Sequence, residues 1–276
     1  KQNDQVKNMQ NTHPFKRLVV YGCSFTAGSE LIDHEMIGKS REWTDNYKRK
    51  HGLDAWFKFL QDVLKEKYPM LSELEKQRSW AGHLAKMLEI PCINQAVSGS
   101  SHEAMIYYYE QDKKTLLQPT DLIIFGLTSP GRFMRIDDYG TPWHHILGFD
   151  GPAWPSKKIH KNYVSLMGND NTTVWQAYRD IQYISNLCRL NSNTFIQNIW
   201  ADWDMYKGLF LKTTSQDVFN LIETNEWSEI ASKSSIWQGI DYNDKSCQHG
   251  LGHPFECYHI QFAEILYNKI IGWYKK

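Results

Sequence analysis

Four short segments of this chain hold the residue types that acyl transfer needs. Gly22-Cys23-Ser24-Phe25-Thr26-Ala27-Gly28 follows an apolar run. Asn94-Gln95-Ala96-Val97-Ser98-Gly99-Ser100-Ser101 and Gly126-Leu127-Thr128-Ser129-Pro130 follow two more, and Gly252-His253-Pro254 stands near the C-terminal end. A serine hydroxyl attacks a carbonyl only when a neighbouring imidazole takes its proton, which makes Ser24 and His253 the natural nucleophile and base. Attack places negative charge on the carbonyl oxygen. Donors must already point at it, and losing one costs about 3 kcal/mol of barrier. The Ser24 N–H, the Gly99 N–H and the Thr128 hydroxyl are the candidate oxyanion donors. Each has a structural alternative. Ser24 and Thr128 can cap helices, and Gly99 can serve a left-handed turn.

These residues must be carried by strands that end at one edge of a sheet, where ligands bind in open α/β folds. The apolar runs over 16–22, 90–94, 121–126 and 194–200 read as strands, with a fifth short one over 236–242. Helical spacing covers 54–68, 79–88, 101–117, 173–190 and 255–274, with Ala104, Tyr107, Tyr108 and Leu116 facing inward on the third of these. Pro254 suits the first turn of the last helix. Strands alternating with helices predict an α/β fold, a flavodoxin-like three-layer sandwich around a central, mainly parallel five-stranded sheet. Residues 1–14 read as a flexible tail and 15–276 as one domain, with insertions near 29–78, 136–171 and 201–235. The stretch 29–53 reads as a loop with one helical turn. The stretch 136–171 reads as a long functional loop that carries Trp143 and Trp154.

The order and spacing of the four segments resemble the SGNH (GDSL-like) hydrolase superfamily. Its members carry a Gly-Asp-Ser-Leu-type block, a glycine block, a Gly-x-Asn block and a C-terminal Asp-x-x-His. The resemblance implies a five-stranded parallel sheet between helices. It also implies esterase, lipase, thioesterase or carbohydrate O-deacetylase activity without a cofactor. Ser24 matches the nucleophile, Gly99 the glycine donor and His253 the base. Three positions depart from the pattern: Cys23 replaces the first-block aspartate, Thr128 the asparagine, and Gly250 the triad acid. A Ser–His dyad follows, its imidazole oriented by a backbone carbonyl or by Asp241, Asp244 or Glu256. Without an acid in register, a modest rate or an activated ester is expected. Such divergence also fits a phage- or virus-type, virion-associated member.

The expected reaction is ester hydrolysis through an acyl-enzyme, with an O-acetylated carbohydrate as the favoured substrate. An acyltransferase with the same dyad and a catalytically inactive glycan-binding or assembly module stay open. Trp143 and Trp154 are candidate substrate contacts. Arg132 is another, as an anion contact or a substitute oxyanion donor; Arg135 is a second candidate anion contact, and a solvated surface role is the slightly favoured reading of both. Composition narrows the classes. Lys+Arg and Asp+Glu are 31 each with no polybasic block, so neither nucleic acid nor an anionic membrane is expected as partner. No run approaches the ~18 apolar residues of a membrane span, and residues 1–14 hold no signal-type apolar core. The five cysteines are scattered without a Cys-x-x-Cys pair, which reads as free thiols in a reducing, intracellular setting. His144, His145 and His249 lack ligand spacing to carboxylates, so no metal is expected, and the resemblance implies no cofactor. Gly22…Gly28 lacks the Gly-Lys-Ser/Thr of a phosphate-binding loop. His259 reads as a packed or surface histidine.

Overall fold

The side chains of the first strand divide between two cores. Leu18 and Val20 enter one cluster and Val19 and Tyr21 the other, as the two-residue period of a strand requires. This computed structural model describes residues 13–29, 31–128, 132–136, 142–146, 170–191, 193–198 and 255–274. In chain order its elements are β1 (Arg17–Tyr21), α1 (Ser24–Ala27), α2 (Asp33–Met36), α3 (Arg41–His51), α4 (Leu53–Leu64) and α5 (Tyr68–Arg78). Then come α6 (Trp80–Leu88), β2 (Cys92–Asn94), α7 (His102–Thr115), β3 (Asp121–Leu127), β4 (Arg132–Ile136) and β5 (Pro142–Ile146). The last are α8 (Asp170–Leu190), β6 (Thr194–Asn198) and α9 (Glu256–Tyr274).

The main sheet has the order β2-β1-β3-β6, and every pairing in it is parallel, with Val19 opposite Ile93 and Ile123, and Phe125 opposite Ile196. β3 is buried along its whole length, as a central parallel strand covered on both faces must be. On one face α6 and α9 bring Trp80, Leu84, Leu88, Tyr258, Phe262 and Leu266 against Leu18, Val20, Leu122 and Ile124. On the other, α7 and α8 bring Met105, Tyr109, Ile181 and Ile184 against Val19, Tyr21, Ile123 and Phe125. The three-layer α/β arrangement is therefore present, with four strands in the described sheet. The expected fifth strand over 236–242 lies outside the described residues, as do 201–235 and 147–169.

The inward residues expected on α7 need correction. Met105 and Tyr109 are in the core with Ala104, while Tyr107 is only half-buried. A helix drifts about 100° per residue, so one misplaced anchor rotates the whole inferred stripe.

Two further expectations are corrected. The stretch 29–53 contains α2 and the eleven-residue α3, not a loop. The buried side of α3 is polar, made of Thr44, Asp45 and Lys48, so no apolar period marks it. Ser40 caps it, its Oγ accepting the Trp43 N–H at 3.2 Å, which satisfies one of the orphan donors of a helix start. Residues 31–78 then build a satellite core from Leu31, Ile32, Trp56, Leu60, Leu64 and Leu71. The start of the long 136–171 segment belongs to a hairpin. β4 and β5 pair antiparallel, Met134 opposite His144. At the other end of the described chain, His13 stacks on Phe15 and reaches the Leu88 carbonyl at 3.2 Å.

Candidate active site

β1 is the point from which the sheet grows both ways: β2 lies on one side and β3 on the other. In doubly wound sheets the crevice opens at this reversal, beyond the carboxyl ends of the two strands. Ser24 follows β1 there and Thr128 follows β3, each three residues beyond the paired Tyr21 and Phe125.

The Ser24 turn is sterically determined. Cys23 is extended (φ −99°, ψ −163°), α1 makes one turn, and Gly28 closes it in the left-handed region at φ 74°, where a side chain is strained. A Cβ on Gly22 would run into the Thr26 side chain, and one on Gly28 would meet the Glu75 carbonyl at 2.6 Å. Glycine is therefore required at both ends of the turn. The Thr26 and Ala27 N–H groups donate to the Cys23 carbonyl. The Cys23 side chain itself is wholly buried in the apolar cluster beneath α6 and α9, an environment that suits a thiol and would not suit the aspartate of the resemblance. Ser24 is 4% exposed. This strand, tight turn and helix start is the geometry that presents a serine at the top of a sheet.

The glycine segment lies alongside. The Val97 N–H donates to the Gly22 carbonyl at 3.1 Å and the Gln95 N–H to Val20 at 2.8 Å, which locks 95–97 onto the Ser24 turn. Gly99 has φ 81°, so its left-handed conformation is real. Ser101 caps α7 through the Ala104 N–H at 3.2 Å. Asn94 ties the two segments. Its Nδ2 donates to the Thr26 carbonyl at 2.9 Å and to Ser79 Oγ at 3.2 Å, and its Oδ1 accepts the Ala96 N–H.

The Thr128 segment brings in a residue that sequence reading passed over. His102, in the first turn of α7, is buried, and its Nε2 accepts the Thr128 N–H at 3.2 Å. Burial, helped by the nearby Arg132 charge, pushes this imidazole down to about 3, so it is neutral at physiological pH and fit to accept. Thr128 is fully buried, and with its amide engaged any donation to an oxyanion falls to its hydroxyl. A histidine directly after Ser-Gly-Ser-Ser was the available signal.

His253 and Trp154 lie outside the described residues. So do Asp241, Asp244, His249 and Gly250, and nothing is described of the Trp143, Arg135, His144 and His145 side chains. The helix that follows His253 is described and firmly held. Arg78 binds Glu256 through Nε at 2.8 Å and through Nη2, and binds Glu35 of α2 at 2.6 Å. His83 Nε2 reaches the other Glu256 oxygen at 3.0 Å. Partial burial pushes the Glu256 carboxyl up, but the Arg78 hydrogen bonds outweigh it and hold it below the usual range. Both oxygens being engaged, Glu256 is removed from the acids available to orient His253. His259, read as packed or at the surface, is buried, its Nδ1 accepting the Trp80 N–H at 2.9 Å. Arg41 lies over the Phe255 ring at 5.0 Å. Cys257 is disulfide-bonded while Cys23, Cys92 and Cys188 are free thiols. This corrects the reading of five free cysteines, since scattered spacing carries no information on spatial approach. Among the described residues no three His, Cys, Asp or Glu side chains gather as a metal site, and no helix is long and apolar enough to cross a membrane.

No family model matches the chain, and no curated protein matches it. Solved structures resemble it at low identity. A member of the lipolytic protein G-D-S-L family from Veillonella parvula aligns with a TM-score of 0.45 and 14% identity, over 91% of this chain and 97% of that one. TesA aligns with a TM-score of 0.46 and 11% identity, over 93% and 99%. A carbohydrate esterase whose active site displays divergent catalytic and non-catalytic binding functions aligns with a TM-score of 0.46 and 14% identity, over 95% of this chain and 66% of that one.

Proposed function

We propose that the chain is a serine ester hydrolase of the SGNH type that works through an acyl-enzyme. The observation that carries this reading is Ser24 itself. It is a serine on a glycine-bounded turn at the point where the sheet reverses, with the Gly99 loop hydrogen-bonded against it. Ser24 attacks the ester carbonyl and His253 accepts its proton, then returns it to the leaving alcohol. Water attacks the acyl-enzyme in the second half, with His253 again taking the proton. The N–H groups of Ser24 and Gly99 face the developing oxyanion, joined by the Thr128 hydroxyl. Neither N–H is engaged by an acceptor among the described residues, so both can serve without breaking an existing bond. Trp143 and Trp154 are the proposed substrate contacts, and an O-acetylated carbohydrate is the favoured substrate class.

The test is labelling by a fluorophosphonate probe and release of p-nitrophenol from p-nitrophenyl acetate. Wild type should label at Ser24, and Ser24→Ala and His253→Ala should each lose turnover by about 10³-fold or more. A folded wild type that does not label sinks the proposal. It would favour the inactive binding module, for which Gly250 and Thr128 in place of the acid and the asparagine already speak. Transfer of the acetyl group to a sugar hydroxyl in preference to water would instead make it an acyltransferase.

A further inference from the structure

Arg132 opens β4, four residues beyond Thr128 at the end of β3. Its Nε and Nη1 are buried and meet no hydrogen-bond acceptor among the described residues. A guanidinium has five donors in a planar fork and keeps its charge at every physiological pH. Leaving a buried donor unmatched costs about 1–3 kcal/mol, and more for a charged group. The described groups nearby do not relieve this. His102 is near enough for the Arg132 charge to depress its basicity, but its Nε2 already accepts the Thr128 N–H. Glu103 on α7 turns its Oε2 to the Met134 N–H at 3.4 Å and to Gln176 Nε2 at 3.2 Å. That contact pins β4 across the start of α7 and holds Arg132 near His102, the residue that meets the Thr128 N–H.

We infer that Arg132 is an anion anchor, and that the esters this site takes carry a carboxylate or a phosphate group. The inference rests on the reading of Ser24 as nucleophile. A carboxylate or phosphate on either edge of the guanidinium, across Nε and Nη2 or across Nη1 and Nη2, supplies a charged acceptor that Nε or Nη1 lacks. An anchor differs from an oxyanion donor in what it sorts. A donor acts on every ester alike, whereas an anchor acts only on those that bear the charge.

The experiment compares kcat/KM for three acyl esters: neutral p-nitrophenyl acetate, mono-p-nitrophenyl succinate with its carboxylate on the acyl side, and 4-carboxyphenyl acetate with its carboxylate on the alcohol side. Wild type should favour one charged ester over the neutral one by about tenfold or more, the worth of a hydrogen-bonded charge. Arg132→Gln should collapse that ratio toward one, chiefly through KM, and Arg132→Lys should restore part of it. Inorganic phosphate should compete in wild type and lose its effect in Arg132→Gln, which separates a phosphate-reading site from a carboxylate-reading one. A wild type without preference for either charged ester overturns the inference, whatever the variants do. Equal losses on neutral and charged esters in Arg132→Gln overturn it in favour of oxyanion donation. A wild type that turns over none of the esters and does not label at Ser24 overturns the reading beneath it.

Discussion

At the scale of single residues, the site depends on positions where no other side chain fits. Gly22 is one. A methyl there collides with Thr26 in the first turn of α1, and overpacking of this kind costs about 1–3 kcal/mol. Gly22→Ala should lower stability by that amount in denaturant titration and slow fluorophosphonate labelling of Ser24 further than the stability loss explains, because the collision moves the proposed nucleophile. A second residue-scale prediction concerns Asp180 on α8. Burial, with Glu103 nearby, raises its carboxyl to about 7, against the weaker pull of Arg179. The folded state then holds this proton after the unfolded chain has released its own, near pH 4. As pH rises from about 4 to about 7 the unfolded state is progressively favoured, so the contribution of Asp180 to stability falls across that window and is level above it. Asp180→Asn should flatten this slope in urea titrations at pH 5 and pH 8, with its gain in stability at pH 8.

At the scale of elements, the insertion between α1 and α6 is held by charges. Lys48 Nζ donates to Asp33 Oδ2 at 3.0 Å and Trp56 Nε1 donates to the same oxygen at 3.2 Å, with both charged side chains about 1% exposed. Burial alone pushes the Asp33 carboxyl up, but the His34 N–H and the Lys48 charge outweigh it and hold it below its usual range. Removing one partner of such a pair strands the other, at about 3–5 kcal/mol. Lys48→Met should cost that much in denaturant titration, and a loss under 1 kcal/mol would show the pair to be dispensable. The sign of the Asp33 shift means that its stabilisation is present above the unfolded carboxylate range and fades as pH falls through the lower folded value.

The junction at Arg78, Ser79 and Trp80 joins the sheet edge to the last helix. Through Ser79 and Asn94 it reaches the Ser24 turn, and through Arg78 and Trp80 it reaches α9. Arg78 and Glu256 are partly exposed, so their coupling in a double-mutant cycle of Arg78→Ala and Glu256→Gln should be about 0.5–1 kcal/mol. Zero coupling would leave α9 held by its apolar face with the His259–Trp80 and His83–Glu256 contacts.

At the scale of the whole molecule, the two cores on either side of the sheet carry the fold. Trp80 is fully buried between α6, α9 and the sheet, edge-on to Phe262, and Trp80→Ala should cost about 3–5 kcal/mol. The thiol inventory is also a whole-molecule property. Alkylation after unfolding without reductant should modify Cys23, Cys92 and Cys188 and spare Cys257. Mass spectrometry showing Cys257 alkylated alongside them would refute its disulfide.

The sequence by itself determined the strands that end at the site, because their apolar runs are continuous and each stops at a turn-forming residue. It also marked the turns at Ser24 and Gly99, since a tight turn after a strand needs glycine at fixed offsets and leaves that mark in the chain. The helices α6 and α9 were legible from their apolar stripes. What it could not show is whatever depends on groups far apart in the chain. The polar inner side of α3 mimics a loop, because hydrophobic periodicity is blind to a helix that buries Thr44, Asp45 and Lys48. The part played by His102 depends on meeting Thr128 across the sheet edge, and Glu256 is occupied because Arg78 and His83 lie opposite it. The same is true of Arg132. Its charge could be read from the chain, but only the packing of β4 on α7 decides that its Nε and Nη1 lie buried without acceptors among the described residues, since hydrogen-bond partners are set by distance in space and not by separation in sequence.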